Sequence, residues 1–318
     1  MAAAKAKEHY KLSESLTTWE AANILFRSLL NTMQNNEQGL REGSDTEYLH
    51  DYRIAVRRTR TAITQIKHIF SKQDLEYIKG EFYWLGCITT PTRDIDVYLS
   101  NFDFYVDELP ETMRQDLFPF KNFLQRHWQD EHQKMCDALD SDRYLKLIPK
   151  WQAILKQDTI KSLKTHDAEK PARKTANNRI RKLYNKVLRE GRAIHKKSAD
   201  EEFHELRKSC KKFRYLMEFF KDYYGEQEIK SLVKYLKKLQ DNLGELQDLC
   251  VQTDQLDHFA EQMRNEEMDD PKTMVAMGVL VEKLKQRRGK VKSAFRHLFQ
   301  QFSEPATIKE FRNTLDIN

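Results

Sequence analysis

Basic residues recur at helical spacing in two stretches of the chain, and their side chains are suited to binding anions. Four of them fall at positions i, i+3, i+7 and i+10 in the first stretch: His50, Arg53, Arg57 and Arg60. The second stretch begins 154 residues later and repeats the spacing with His204, Arg207, Lys211 and Arg214. We call these sets the first and second basic faces. On a helix each set lies on one side and forms a row about 15 Å long.

The residue types in these rows match the geometry of phosphate oxygens. Arginine presents a planar fork of N–H donors that binds two oxygens at once, and lysine supplies a mobile positive charge. His50 and His204 add neutral donors at pH 7 and extra charge in acid, although a structural hydrogen bond to a neighbouring carboxylate or carbonyl is an equally open interpretation. Such rows, with counterion release as a driving force, predict a polyanion as the ligand.

Further residues extend the candidate site. Arg58 adjoins the first basic face and Lys212 adjoins the second. Arg179, Lys182, Lys186 and Arg189 repeat the basic spacing, and we call them the third basic face. Lys285, Arg288, Lys292 and Arg296 lie on one side of a later predicted helix, and we call them the fourth basic face. We expect Asp94 and Asp248 to hold arginines of the first two faces in position rather than to act as catalytic acids.

The similarity between the two stretches extends beyond the basic residues. Ser44 and Glu47 precede the first basic face, and Ser198 and Glu201 precede the second at the same offset. Each pair has the spacing of a capping box, which predicts that a helix begins there. A register held without gaps from about residue 23 to residue 97 predicts an internally duplicated unit.

Composition favours helices throughout the chain. Its 318 residues include only 9 Gly and 7 Pro, and 33% are charged. No stretch keeps the alternation of a strand for long. We therefore predict an all-α fold of two pseudo-symmetric modules that resemble four-helix bundles. The N-terminal half would span residues 1–160 and the C-terminal half residues 171–318, with the boundary in the polar stretch Lys156–Lys174.

Capping signals predict where several helices begin and end. Thr17–Glu20 has the form of a capping box and should begin a helix that Gly39 and Gly43 end. Gly244 is expected to separate two later helices. Pro271 should begin the last long helix, because proline is favoured in the first helical turn.

Several classes of protein are disfavoured by the composition. The chain has neither an apolar signal region at its start nor an apolar run of about 18 residues, which predicts a cytoplasmic protein without membrane spans. Its four cysteines have no metal-ligand spacing, so we expect neither a metal site nor a cofactor. The net charge is +6, and Arg173–Lys197 holds ten Lys or Arg residues against one acid. Such local concentration of positive charge favours a polyanionic partner.

Four segments in this order resemble the CHAD family, the conserved-histidine α-helical domain: His50–Arg60, Arg93–Val97, His204–Phe220 and Leu243–Leu249. The resemblance implies two four-helix bundles related by an internal two-fold axis. It also implies a basic central channel or groove, lined by Arg, Lys and His from both repeats, that binds inorganic polyphosphate. Association with polyphosphate-containing granules is a further implication. The chain departs from the pattern at Gln247, where the first copy has Arg93, and by having Lys at three positions of the second basic segment.

Two other functions are compatible with basic helices. The first is binding of a nucleic-acid backbone, although the sequence has no helix-turn-helix, zinc-finger or RNA-binding signature. The second is a phosphohydrolase that uses His50 or His204, but the chain lacks a P-loop, a carboxylate metal cluster and a Gly-rich phosphate loop. We therefore expect a non-catalytic binding protein. The sequence leaves open whether the basic faces line one channel or form separate surfaces.

Overall fold

The computed structural model describes residues 10–156 and 167–315, which form helices joined by short connections. Within these ranges there are twelve α-helices and four short 3-10 helices. The α-helices are α1 Thr18–Glu42, α2 Thr46–Gln65, α3 Lys72–Ile88, α4 Thr90–Ser100, α5 Phe102–Glu108, α6 Phe118–Asp140, α7 Asp142–Lys156, α8 Ala172–Ala193, α9 Asp200–Phe219, α10 Glu226–Asn265, α11 Pro271–Phe302 and α12 Pro305–Thr314. The predicted all-α class is confirmed. Much of the predicted boundary Lys156–Lys174 lies outside the described residues.

The described chain divides into two compact units, each assembled from separate stretches of sequence. The first unit comprises the described residues of Met1–Asp96, Trp128–Ile180 and Tyr215–Glu226. The second comprises those of Val97–His127, Arg181–Arg214 and Gln227–Asn318. The first basic face therefore belongs to the first unit, and the second basic face belongs to the second.

An aromatic cluster centred on Trp151 forms the core of the first unit. The ring of Trp151 lies 5.1 Å from that of Phe26 on α1 and 5.4 Å from that of Phe82 on α3. Helix α2 packs against α1 through an apolar side that includes the fully buried Tyr52 and Val56. Burial of such side chains stabilises the fold by about 1.5–3 kcal/mol each, and it determines which side of α2 faces away from the core.

The second unit has its own aromatic core. Tyr184 on α8 stacks on Phe311 of α12 at 4.9 Å, and its ring lies 5.6 Å from Phe213 on α9. A second cluster joins Tyr98 of α4 to Phe259 of α10 at 5.3 Å. The contact between Tyr184 and Phe213 anchors α9 by its apolar side, as α2 is anchored in the first unit.

Several predicted helix ends agree with the structure. Thr17 is the N-cap of α1 and forms the reciprocal capping box with Glu20. Gly43 ends that helix in the left-handed conformation, with φ of 63°, as glycine readily does. Helix α11 begins at Pro271 with Asp270 as its N-cap.

Other predicted helix ends are wrong. Asp45, not Ser44, caps α2, because its carboxylate accepts a hydrogen bond from the Glu47 N–H at 2.9 Å. Ser198 does not cap α9, which begins at Asp200; its hydroxyl accepts instead from the His195 N–H. Gly244 does not separate two helices, since α10 continues through it as one helix of 40 residues.

Gly39 also lies within a helix, and the structure gives a packing reason for it. A Cβ atom at this position would lie 2.3 Å from the ring of Tyr48 on α2, so only glycine permits this approach of α1 and α2. Gly80 in α3 is exposed, and a Cβ atom there would meet nothing within 4 Å.

We expect Gly39→Ala to destabilise the protein by about 1–3 kcal/mol, because the added methyl group overpacks the α1–α2 contact. Gly80→Ala is the matched control and should stabilise by about 0.5–1 kcal/mol through the higher helix propensity of alanine. Urea unfolding of both variants measures the difference. Equal effects of the two substitutions would contradict the packing role of Gly39.

Candidate functional site

The first basic face lies on the side of α2 away from its buried apolar residues. Arg57 is exposed, and His50, Arg53 and Arg60 are half-buried. Tyr52, Val56 and other apolar residues hold α2 in place from behind, so the four basic side chains share the opposite side. The sequence prediction that they share one face of a helix agrees with this arrangement.

Arg93 on α4 joins the first basic face. Its guanidinium donates a hydrogen bond from Nη2 to His50 Nδ1 at 3.0 Å, and its Nη1 lies 3.8 Å from the carboxylate of the buried Asp96. Sequence reasoning did not include Arg93 among the binding residues. The available signal was its place in the repeat, since Arg93 follows His50 by 43 residues, as Gln247 follows His204.

Arg53 has both a structural and an electrostatic role. Its Nη1 donates to the Gly86 carbonyl at 3.1 Å and to the hydroxyls of Thr89 and Thr90 at 2.7 and 3.1 Å, which ties α2 to the junction of α3 and α4. The pKa of Arg53 is lowered to about 10, chiefly by burial. Asp94 opposes this lowering, and the positive charges of the neighbouring arginines add to it.

The same positive surroundings act on His50. Burial lowers the pKa of its imidazole below the ordinary value, and Arg93 and Arg57 act in the same direction, while Glu47 and Asp51 oppose them. His50 is therefore held in its neutral form by its surroundings. A histidine and four arginines gathered in this way form a concentrated positive patch.

Arg58 and Arg60 on α2 contact aromatic rings. Arg58 lies 5.0 Å above the ring of Phe219 and 3.4 Å from the Glu218 carboxylate, so its charge is engaged within the packing of the first unit. Arg60 lies 5.1 Å above the exposed ring of Tyr83. Arg58 is thus placed differently from the first basic face, although it is adjacent in sequence.

The second basic face on α9 is more closely matched with polar and acidic partners. His204 Nδ1 is hydrogen-bonded to the side-chain oxygen of Gln247 on α10. Arg207 lies 3.5 Å from the carboxylate of Asp248, and Arg214 donates to the Gln240 side chain at 3.3 Å. The expected placement of Asp248 beside an arginine of this face agrees with the structure.

Lys212 lies beside other lysines in the second unit. Burial lowers the pKa of its ammonium group, and the positive charges of Lys186 and Lys208 lower it further. Glu205 and Glu190 oppose this effect. Basic residues of α8 and α9 therefore converge here, together with nearby acids.

The third basic face divides between the units, with Arg179 in the first and its other three residues in the second. Arg179 lies 3.8 Å from Asp167, and Lys186 lies 3.4 Å from Glu190. Lys182 and Arg189 are exposed. Two of its four charges are thus paired with acids.

The fourth basic face on α11 is partly neutralised by one carboxylate. Asp200 accepts a hydrogen bond from Lys292 at 2.6 Å and lies 3.7 Å from Arg288. Burial raises the pKa of Asp200, but these two cations outweigh it and lower the pKa overall. Lys285 and Arg296 are exposed.

Comparison with known proteins now identifies the family. The family model of the CHAD domain matches residues 24–257, which include both basic faces and Arg93 and Gln247. The chain belongs to the CHAD family. Comparison with curated proteins gives no match.

Two solved structures share this CHAD fold. One is the CHAD domain from the plant Ricinus communis, at 23% sequence identity over 99% of this chain and 96% of that chain, with a TM-score of 0.71. The other is PptA from Streptomyces chartreusis, at 16% identity over 90% of this chain and 100% of that chain, with a TM-score of 0.64. At these identities the likeness concerns the fold alone.

None of the helices in the described part of this CHAD protein is long and apolar enough to cross a membrane. Among the same residues, no group of three or more His, Cys, Asp or Glu side chains is arranged to hold a metal ion.

Arg53 and Arg57 should differ in their effect on folding. We expect Arg53→Met to destabilise by about 2–4 kcal/mol, because it removes a charged donor and leaves the Gly86 carbonyl without that partner. Arg57→Met changes an exposed residue and should alter stability by no more than about 0.5 kcal/mol. Urea unfolding of the two variants checks this. A similar loss from both would contradict the distinct role assigned to Arg53.

His50 should make folding pH-dependent. Its pKa is lowered in the folded protein from an ordinary value of 6.5, so the unfolded chain takes up a proton that the folded ring resists. This histidine therefore lowers the free energy of unfolding progressively as the pH falls below about 6.5. When the pH falls from 7.5 to 5.5, we expect the free energy of unfolding to decrease less in the His50→Asn variant than in the wild type. Parallel pH profiles of the two proteins would contradict the shift.

Proposed function

We propose that this CHAD protein binds inorganic polyphosphate without catalysing a reaction, through the basic residues of α2 and α4 in the first unit and of α8 and α9 in the second. The observation that carries the proposal is the gathering of Arg57, Arg60 and Arg93 around Arg53, with His50 hydrogen-bonded to Arg93. Like charges repel, and a fold keeps them together at a cost in stability that ligand binding explains.

Polyphosphate suits this arrangement chemically. It is a linear chain of phosphates with charge along its whole length and no bases to recognise. Rows of arginine and lysine donors contact its oxygens at successive positions, and release of bound counterions adds a salt-dependent driving force. Membership of the CHAD family supports the same ligand.

The cellular setting follows from the ligand. We propose that the protein acts in the cytoplasm and associates there with polyphosphate-containing granules. Binding along an extended polymer would allow several copies to bind one chain, which raises the effective concentration of the protein at the polymer.

The other candidate functions are outcomes of the same experiments. Binding to a nucleic-acid backbone requires the same cations but no defined spacing between them. For phosphohydrolysis, the Nδ1 atoms of His50 and His204 are already engaged with Arg93 and Gln247, which leaves Nε2 of each ring for chemistry. No observation favours either of these functions over binding of polyphosphate.

Competition between polyanions tests the ligand. A labelled long-chain polyphosphate is bound at about physiological salt and titrated with single-stranded DNA of equal total charge. We expect the DNA to compete only at large excess, because the packing of the helices that carry them fixes the positions of the basic side chains. Competition of one charge for one charge would instead favour a nucleic-acid binder. Release of free phosphate that disappears in His50→Ala or His204→Ala would favour the hydrolase.

Charge reversal tests the residues. Arg57→Glu combined with Lys211→Glu should weaken polyphosphate binding about tenfold or more and lower the salt dependence of binding by about one unit per lost contact. Lys146→Glu is the matched control, since Lys146 is an exposed residue of α7 outside the basic faces and its reversal should have little effect. Fluorescence anisotropy measures affinity, and thermal unfolding verifies the fold. Undiminished affinity in the folded double variant would overturn the proposal.

A further inference from the structure

A buried carboxylate on α4 lies beside the arginine that joins the first basic face. Asp96 is only 2% exposed, and its Oδ2 lies 3.8 Å from Nη1 of Arg93. The same guanidinium donates from Nη2 to His50 Nδ1 at 3.0 Å. Arg93 is therefore held by two groups of the first unit, a half-buried imidazole and a buried carboxylate.

Asp96 is itself held by α6. The indole N–H of Trp128 donates to its Oδ1 at 2.7 Å, so the two carboxylate oxygens have different partners. His132 stacks on this indole at 4.7 Å and donates from Nε2 to the Leu40 carbonyl at 2.8 Å. A series of contacts therefore runs from α1 and α6 through Asp96 to Arg93.

Arg93 needs this restraint because neighbouring groups of the first basic face repel it. Burial is the main cause of the lowered pKa of Arg53 and of His50, and the positive charge of Arg93 adds to the lowering of both. An arginine without a fixed partner would turn toward solvent and away from like charges, where its side chain regains conformational freedom. The negative charge of Asp96 opposes that movement.

The stability of the fold does not by itself account for a carboxylate at this position. A buried carboxylate loses several kcal/mol of hydration, and well-packed apolar side chains of similar volume are often as stable or more stable in its place. Burial raises the pKa of Asp96, while Trp128, Arg93 and His132 oppose the rise. A charge here therefore works against stability, and what it supplies is the contact with Arg93.

The repeat offers an internal comparison. At the offset of 154 residues, Arg93 corresponds to Gln247 and Asp96 corresponds to Cys250. The copy that lacks the arginine therefore also lacks the acid. Both copies keep the histidine, and each histidine meets the residue 43 positions after it. An acid that occurs only together with the arginine is expected if it serves that arginine.

We infer that Asp96 is a positioning residue for polyphosphate binding, which holds Arg93 on the first basic face and is itself fixed by Trp128. This inference rests on the proposed function. In this role Asp96 contacts no ligand, and it favours binding of a polyanion although its own charge is negative. A purely electrostatic effect of the same charge would have the opposite sign.

The sign of the effect tests this role. Binding of labelled long-chain polyphosphate is measured by fluorescence anisotropy, and thermal unfolding verifies the fold of each variant. We expect Asp96→Asn to weaken binding about three- to tenfold, the scale of one charge-assisted hydrogen bond at a partly exposed site. Glu47→Gln is the matched control, because Glu47 is an exposed acid whose charge also acts on His50. It should leave the affinity unchanged or raise it slightly.

A double-mutant cycle separates positioning from a general loss of structure. Arg93→Gln should weaken binding by itself, and Asp96→Asn added to it should weaken binding no further, since no arginine is left to position. Damage to the fold would instead lower the affinity by the same factor with or without Arg93. Asp96→Cys, which places at this position the residue type of Cys250, serves the same cycle if Asp96→Asn folds poorly.

Trp128→Phe tests the outer part of the series of contacts. It removes the indole donor but keeps the carboxylate of Asp96 and an aromatic ring beside His132. We expect it to weaken binding about two- to fivefold, and to have no effect in the Arg93→Gln background. Unchanged affinity of the folded single variant would overturn the role given to Trp128.

The outcomes distinguish this inference from the function on which it rests. Absence of binding by the wild type refutes the proposed function. If the wild type binds but Arg93→Gln binds as well as it does, the inference is overturned while the function stands. The same holds if Asp96→Asn binds equally or more tightly, or loses the same factor in the Arg93→Gln background. A loss confined to proteins that retain Arg93 supports the inference.

Discussion

Repulsion between like charges on one side of α2 is the constraint on which the arrangement of the first unit depends. Two unit charges about 6 Å apart near a protein surface repel by about 3 kcal/mol at an effective dielectric constant of about 20. Arg53, Arg57 and Arg60 are at helical spacing, and Arg93 is brought to them from α4. The lowered pKa of Arg53, to about 10, reflects this crowding together with burial.

Packing behind α2 opposes that repulsion. The buried Tyr52 and Val56 pack toward α1, and the close approach at Gly39 seats Tyr48 against it. Arg53 also contributes structurally, because its hydrogen bonds to Gly86, Thr89 and Thr90 fix the junction from which α4 carries Arg93. The helices that form the core thus determine where the positive charges gather.

The second unit meets the same constraint by pairing its cations with acids. Asp200 partners Arg288 and Lys292, Glu190 partners Lys186, and Asp248 partners Arg207. Paired cations repel one another less, but they also present less free charge to a ligand. Similar helices with similar basic spacing therefore differ in electrostatic character.

The sequence by itself determined the helical class, the family, the shared side of each basic face, the capping box at Thr17 and the start of α11 at Pro271. These features are local, since spacing along one helix and the residues at its ends are read within a few positions. The capping prediction at Ser44 failed because the neighbouring Asp45 side chain accepts from the Glu47 N–H, and the prediction at Ser198 failed because its hydroxyl accepts from the His195 N–H. Gly244 was expected to break a helix, but the buried Leu243 and Leu246 keep α10 continuous despite a propensity cost of about 1 kcal/mol.

Only the tertiary structure decided which charged side chains from distant parts of the sequence meet. Arg93 meets His50 across 43 residues, Arg58 meets Glu218 from a distant stretch, and Asp200 meets two cations of α11. Such pairs depend on how helices pack, and local spacing carries no information about packing partners. The repeat indicated that positions 93 and 247 are equivalent. That each contacts a histidine became apparent from the folded arrangement, because a hydrogen bond requires two side chains to meet in space.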